Sequence, residues 1–97
     1  MIEEILSDMT IHKDWCVVSL RYFNPIGAHP SGYIGEFPNG TPNNLIPYIM
    51  DVAIGKRSGV NIYGGDYETI DGTGIRDYID VCDLVEAHIS AYEYVQS

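Results

Sequence analysis

Positive charge is scarce in this chain: its 97 residues carry 5 lysines and arginines against 14 aspartates and glutamates, a formal charge of −9. A surface of that sign repels phosphate backbones and anionic headgroups, so neither nucleic acid nor a membrane surface is expected as a partner. Cysteine is as rare. Cys16 and Cys82 suit neither a disulfide framework nor a Cys-x-x-Cys metal site, and two reduced structural thiols in a cytoplasmic protein are the simpler account. No window approaches the roughly 18 apolar residues that a membrane span requires. The first residues, Met1-Ile2-Glu3-Glu4, lack the basic and apolar regions of a secretory leader. Repeats and low-complexity runs are also missing. A soluble, cytoplasmic chain of one small domain at most is expected.

Metal-ligand spacing is absent as well. His12, His29 and His88 form no ligand set, and His88 falls on an apolar helix face where packing is the ordinary role. Asp66, Glu68 and Asp71 cluster, but no glycine occupies the sixth loop position and no glutamate the twelfth, as a calcium loop requires. A solvated acidic loop is the better reading.

What the chain does contain is hydrophobic periodicity. Ile2, Ile5, Leu6 and Met9 recur at helical spacing with Glu3, Glu4, Ser7 and Asp8 opposite them. No capping residue precedes Ile2, so the sequence is expected to open part way along a longer helix. Residues 15–20, Trp-Cys-Val-Val-Ser-Leu, lack alternation and read as a strand buried on both faces. From Asn24 to Pro42 the chain holds four prolines and four glycines and cannot be a regular element, although Tyr33 and Phe37 argue for order.

A second helix is expected with Asn43 or Asn44 as N-cap and Pro47 in its first turn; Ile46, Ile49, Met50 and Ala53 face inward, and Gly55 is the stop. Its free N–H groups favour phosphate. Residues 60–63 read as a short strand, 75–81 as a second extended piece, and 80–95 as a helix capped by Asp80, with Asp83 completing an approximate capping box. That helix turns Leu84, Ala87, His88 and Ala91 to one face. Strand, helix, strand, helix in this order predicts an α/β chain with a parallel sheet. Ligands of such sheets bind beyond the carboxyl ends of the strands, which places residues 22–27 where chemistry is expected.

Two segments carry a specific resemblance. One is Leu20-Arg21-Tyr22-Phe23-Asn24-Pro25-Ile26-Gly27-Ala28-His29-Pro30-Ser31-Gly32, running on through Gly35-Glu36 to Pro42-Asn43-Asn44-Leu45-Ile46-Pro47-Tyr48. The other runs from Asp66-Tyr67 through Asp71-Gly72-Thr73-Gly74-Ile75-Arg76-Asp77-Tyr78. Together they resemble the UDP-glucose 4-epimerase family of extended short-chain dehydrogenases/reductases. The resemblance implies part of a Rossmann-like parallel sheet plus part of a smaller substrate domain. Residues 1–23 correspond to the end of a catalytic helix and a core strand, and residues 24–97 to the nucleotide-sugar region with its return helix.

The implied activity is inversion at C4 of a UDP-hexose, interconverting UDP-glucose and UDP-galactose with NAD as cofactor, through a transient 4-keto sugar. A sugar that must turn over between hydride removal and return is held loosely, so binding energy comes from the UDP. By resemblance Asn24 contacts the diphosphate region, and Tyr22 and Pro25 lie beside the nicotinamide. Asn44 and the backbone of Leu45 contact phosphate at a helix start, Asn61, Ile62 and Tyr63 border the uracil, and Arg76 pairs with the diphosphate. The chain's other cations are Lys13, Arg21, Lys56 and Arg57, and a single arginine in a glycine-rich turn suits a bidentate phosphate fork. A homodimer is implied for the whole enzyme.

Without the resemblance each residue has an ordinary alternative. Arg76 could pair with Asp77 or Asp71, Asn44 could only cap, Asn24 could serve the turn before Pro25, and Tyr22 and Tyr63 could be packed aromatics. Two family features are missing. The glycines at 64, 65, 72 and 74 make no dinucleotide fingerprint, and no tyrosine has a lysine four residues on. No catalytic residue is therefore assigned within the chain; the acid/base is expected before Met1, and the chain alone is expected to be inactive. Asp80 stands where the hexose enzymes usually have histidine, as in related UDP-pentose 4-epimerases. The alternatives are thus a pentose substrate, or a non-catalytic fragment or UDP-sugar-binding module.

Overall fold

Helix ends in this chain are written in local chemistry. The computed structural model describes residues 1–12 and 14–97, and among them lie three helices and two short strands in the order α1 (Ile2–His12), β1 (Asn24–Ile26), α2 (Leu45–Ala53), β2 (Tyr78–Asp80) and α3 (Val81–Gln96). α3 starts where expected. The Asp80 carboxylate accepts the Cys82 backbone N–H at 2.7 Å, satisfying one of the amides that a helix start leaves unpaired. α2 stops where expected, because Gly55 adopts φ +79° and lets its N–H reach the Val52 carbonyl at 3.0 Å while Lys56 N–H reaches Asp51 at 2.8 Å. This double closure is a Schellman motif, and the left-handed turn it needs favours glycine.

β1 and β2 run parallel, with Asn24 opposite Tyr78, Pro25 opposite Ile79 and Ile26 opposite Asp80. The chain is α/β with a parallel strand pair, the expected class, but β1 lies inside the 24–42 stretch expected to hold no regular element, where β2 supplies the neighbour for its ladder. Because α3 follows β2 without a loop, its first turn is delivered directly beside the end of β1. Leu84, one turn into α3, is buried there.

Two expected strands do not form. Residues 15–20 are without a ladder and Trp15 is 52% exposed; residues 60–63 likewise have none, and Ile62 and Tyr63 stand out in solvent. A strand exists only through the N–H and C=O groups of a neighbour, and among the described residues none lies alongside either segment. Residues 15–20 are tied instead at their far end, where the Arg21 guanidinium grips both carboxylate oxygens of Glu3 on α1. That partner holds the Glu3 carboxyl below the usual carboxylate range.

The expected inward faces are also open. Ile5 on α1, Met50 on α2 and Ile89 on α3 are each more than half exposed, Ala53, Ala87 and His88 are exposed, and Ile46 and Ala91 are half-buried. Tyr33 and Phe37 are exposed too. The 24–44 loop takes its shape from hydrogen bonds instead: His29 N–H to Ile34 O and Gly32 N–H to His29 O, both 2.9 Å.

The accessible surface is 8552 Å², whereas a folded monomer of this mass presents about 5,500 Å². The Cα radius of gyration is 18.7 Å, against about 12.5 Å for a compact chain of this length. Roughly a third of the surface is thus in excess, much of it on helix faces patterned for burial. No helix among the described residues is long and apolar enough to cross a membrane.

Candidate functional site

The parallel pair brings together segments that lie far apart in sequence. Asn24 donates its side-chain N–H to the Asp77 carbonyl at 2.9 Å across 53 residues, so the residue before β2 is anchored to the first residue of β1. Arg76, immediately upstream, is carried to the same edge. α2 arrives from the other side through the 24–44 loop, and residues 60–63 and 67–74 close the rim.

The result is a hollow of about 620 Å³ lined by Asn24, Asn44, Leu45, Asn61, Ile62, Tyr63 and Arg76, with Pro25 beside them. These are all seven residues predicted to hold a nucleotide sugar. The volume lies within the range of small-molecule sites. Two other hollows, of about 740 and 790 Å³, are mainly apolar; neither contains Arg76 or the 61–63 segment. Chemistry therefore selects the smaller one.

Arg76 is the one cation among its lining residues, and Glu36 the one carboxylate. Among the described residues Arg76 makes no ion pair with Asp77 or Asp71; Nη1 donates to the neighbouring Ile75 carbonyl at 2.7 Å. Its remaining N–H groups face no internal carboxylate, which suits capture of an anion. Lys13 lies outside the described residues. Lys56 and Arg57 are spent on Asp51 at 3.5 and 3.3 Å, and Arg57 also stacks on Tyr48, 4.8 Å from the ring centre.

The asparagines show what donors remain. A side-chain amide has two N–H groups. Asn24 gives one to Asp77, and Asn61 approaches the Tyr63 hydroxyl at 3.4 Å. Asn44 has the extended backbone of an N-cap, yet its side chain caps nothing: Nδ2 donates to Glu36 Oε1 at 3.0 Å. Its expected capping bond is corrected accordingly. The backbone N–H of Leu45, first in the helix, belongs to the set that no intrahelical carbonyl satisfies.

Tyr22 stands apart from this hollow. Its ring meets His88 of α3 at 5.9 Å between centres, tilted by 56°, and His88 bonds the Leu84 carbonyl through Nδ1 at 2.7 Å. Asp80 is also outside the lining, engaged as the cap of α3, so its departure from histidine has a local structural account. Cys82 has its thiol pushed up by burial first and then by Asp80, Asp83 and Glu86, which disfavours the thiolate.

Sequence reasoning assigned no role to Glu36, Tyr67, Thr73 or Tyr78, which also line the hollow. Their signal lay in the two resembling segments that contain them. Thr73 is set by the acidic loop: Asp71 Oδ1 accepts its N–H and its hydroxyl, both at 2.9 Å. Gly72, at φ +74°, packs so closely on Gly65 that a Cβ would collide with the Gly65 carbonyl oxygen. Gly72 and Gly65 thereby close the 65–72 loop on itself.

The bonds from Thr73, backbone first, hold the Asp71 carboxyl below the usual carboxylate range. A depressed carboxyl stabilises the loop above its ordinary pKa and loses that contribution as pH falls through the lowered value. The Thr73 amide resonance is therefore expected to be constant near neutrality and to move below about pH 4, with Asp71→Asn abolishing the titration. An unchanged titration in that variant would refute the assignment.

The family model described as the NAD dependent epimerase/dehydratase family matches residues 1–97. The UDP-glucose 4-epimerase of Yersinia enterocolitica is 62% identical over 91 residues, which is 93% of this chain and 27% of that protein. The crystal structure of a UDP-glucose 4-epimerase from Stenotrophomonas maltophila with bound NAD and formylated UDP-arabinopyranose superposes with a TM-score of 0.90 at 48% identity. It covers 99% of this chain and 29% of that one. That of Bifidobacterium longum, in complex with NAD+ and UDP, gives 0.85 at 51% identity, covering 94% and 28%. The chain thus spans just over a quarter of the length of the relatives it matches.

Proposed function

The chain belongs to the NAD dependent epimerase/dehydratase family, and from that we infer that it supplies the UDP-binding part of a UDP-glucose 4-epimerase interconverting UDP-galactose and UDP-glucose. The observation that carries this reading is the convergence of seven side chains from four separate segments on one hollow whose only cation is Arg76. Arg76 pairs with the diphosphate, while the second amide hydrogens of Asn24 and Asn44 and the Leu45 N–H add donors. Asn61, Ile62 and Tyr63 border the uracil. The two solved relatives named above hold UDP or a UDP-sugar, which supports the ligand class.

NAD, when bound, takes the C4 hydride and returns it. By the resemblance, Pro25 within β1 and Tyr22, held against His88, would lie beside its nicotinamide end. On this reading residues 1–23 are the end of the catalytic helix and a core strand, residues 24–97 the nucleotide-sugar region, and the open apolar faces of α1 and α3 pack within a larger enzyme and its homodimer.

The test uses the full gene product with its native flanking sequence. Titration with UDP is expected to shift the amide signals of Leu45, Asn61, Ile62, Tyr63 and Arg76, and the protein to convert UDP-galactose to UDP-glucose. If UDP moves none of these signals, the assignment of the hollow fails.

A further inference from the structure

The side chain of Asn44 is in the wrong place for a cap, and Glu36 is the reason. Asn44 has φ −90° and ψ 148°, the backbone from which an asparagine ordinarily accepts an N–H of its own helix, and that bond is absent. Giving it up leaves the start of α2 without the side-chain acceptor that such a residue ordinarily supplies. The amide instead donates to Glu36 Oε1 at 3.0 Å, from a loop eight residues upstream, and both side chains line the hollow. A carboxylate is otherwise a poor choice on the wall of an anion site, since it opposes the charge that Arg76 attracts.

We propose that Glu36 is a positioning residue, whose carboxylate draws the Asn44 amide away from its helix and turns the second Nδ2 hydrogen toward the phosphates of the bound nucleotide. This rests on the reading of the hollow as a UDP site and adds a residue to it. The carboxylate can only accept, so it fixes which end of the amide faces the ligand: NH₂ is held at the donor position and the carbonyl oxygen, which would repel phosphate, is excluded from it. Capping the helix requires the opposite, the carbonyl oxygen as acceptor. Binding and capping therefore compete for one side chain.

Charge alone and positioning predict opposite signs. Removing Glu36 deletes a negative charge beside a dianion, so electrostatics without positioning would tighten UDP binding. Positioning predicts that Glu36→Ala weakens it by about five- to tenfold, the worth of one charge-assisted hydrogen bond less the repulsion removed with the charge. Glu36→Gln retains an acceptor and is expected to recover most of the loss. Calorimetric titration of the full gene product with UDP reads these values, with thermal melts alongside; Glu36→Ala leaves the melting temperature unchanged or raised, because Asn44 can then cap α2. In a double variant, Glu36→Ala with Asn44→Ala binds no more weakly than Asn44→Ala alone.

Tighter or unchanged binding in Glu36→Ala, a Glu36→Gln variant as weak as Glu36→Ala, or additive losses in the double variant would each overturn the positioning role while the wild-type protein still binds UDP. Absence of UDP binding by the wild-type protein would instead remove the site itself.

Discussion

Purified as a 97-residue chain and given NAD with UDP-galactose, this protein is expected to form no UDP-glucose above a blank. Epimerisation needs a hydride acceptor held over C4 and a group that takes and returns the hydroxyl proton. A positioned general acid/base alone is worth about 10²- to 10⁴-fold, and no tyrosine here has the lysine four residues on that serves the family in this role. The glycines at 64, 65, 72 and 74 do not have the spacing of a dinucleotide fingerprint. The absences multiply, since a weakly held cofactor would meet no acid/base. Detection of UDP-glucose by chromatography above the enzyme-free control would show that the chain carries chemistry of its own.

The second large effect concerns Arg76. In the full gene product, Arg76→Ala is expected to weaken UDP binding by about 10- to 100-fold, the range for losing charge-assisted hydrogen bonds to a phosphate. Arg76→Lys should restore only part of this, because an ammonium cannot make the paired N–H contacts of a guanidinium. Stability should barely change, since Arg76 is exposed, has no internal ion pair among the described residues and bonds only its neighbour's carbonyl. The discriminating pattern is thus a large loss in UDP affinity with an unmoved melting temperature. Affinity within about twofold of wild type would remove Arg76 from the site.

The Arg76 pattern follows from how the hollow is built. The hollow is assembled from short pieces that contribute little to each other's stability: a three-residue strand pair, a helix start and two loops. Substitutions in its lining consequently act on binding more than on folding, which is the reverse of what is expected in a close-packed core. The apolar faces of α1 and α3 are open to solvent and add little to that stability.

How much of this was legible beforehand depends on the distance over which each feature is decided. The ends of α2 and α3 were readable from Gly55 and Asp80 because caps are made by residues one to four positions away. Motif context singled out the seven residues that line the hollow, and the α/β class was legible although the strands that form are not the ones composition suggested. Residues 15–20 and 60–63 have the composition of strands, but a ladder requires a neighbour that composition does not name. Nothing in the pattern around Asn44 distinguished a cap from a residue held by Glu36, since both readings place the same asparagine before the same helix.

The sequence by itself therefore determined where the helices start and stop, which polar residues are available, and that one arginine stands in a glycine-rich turn. Only the tertiary structure decided that Asn24 and Tyr78 are paired across the parallel strands, that Arg76 has no carboxylate partner among the described residues, and that Asn44 faces Glu36. The physical reason is that caps and turns are fixed by bonds between near neighbours, whereas a site is fixed by which distant segments the strand register brings within reach.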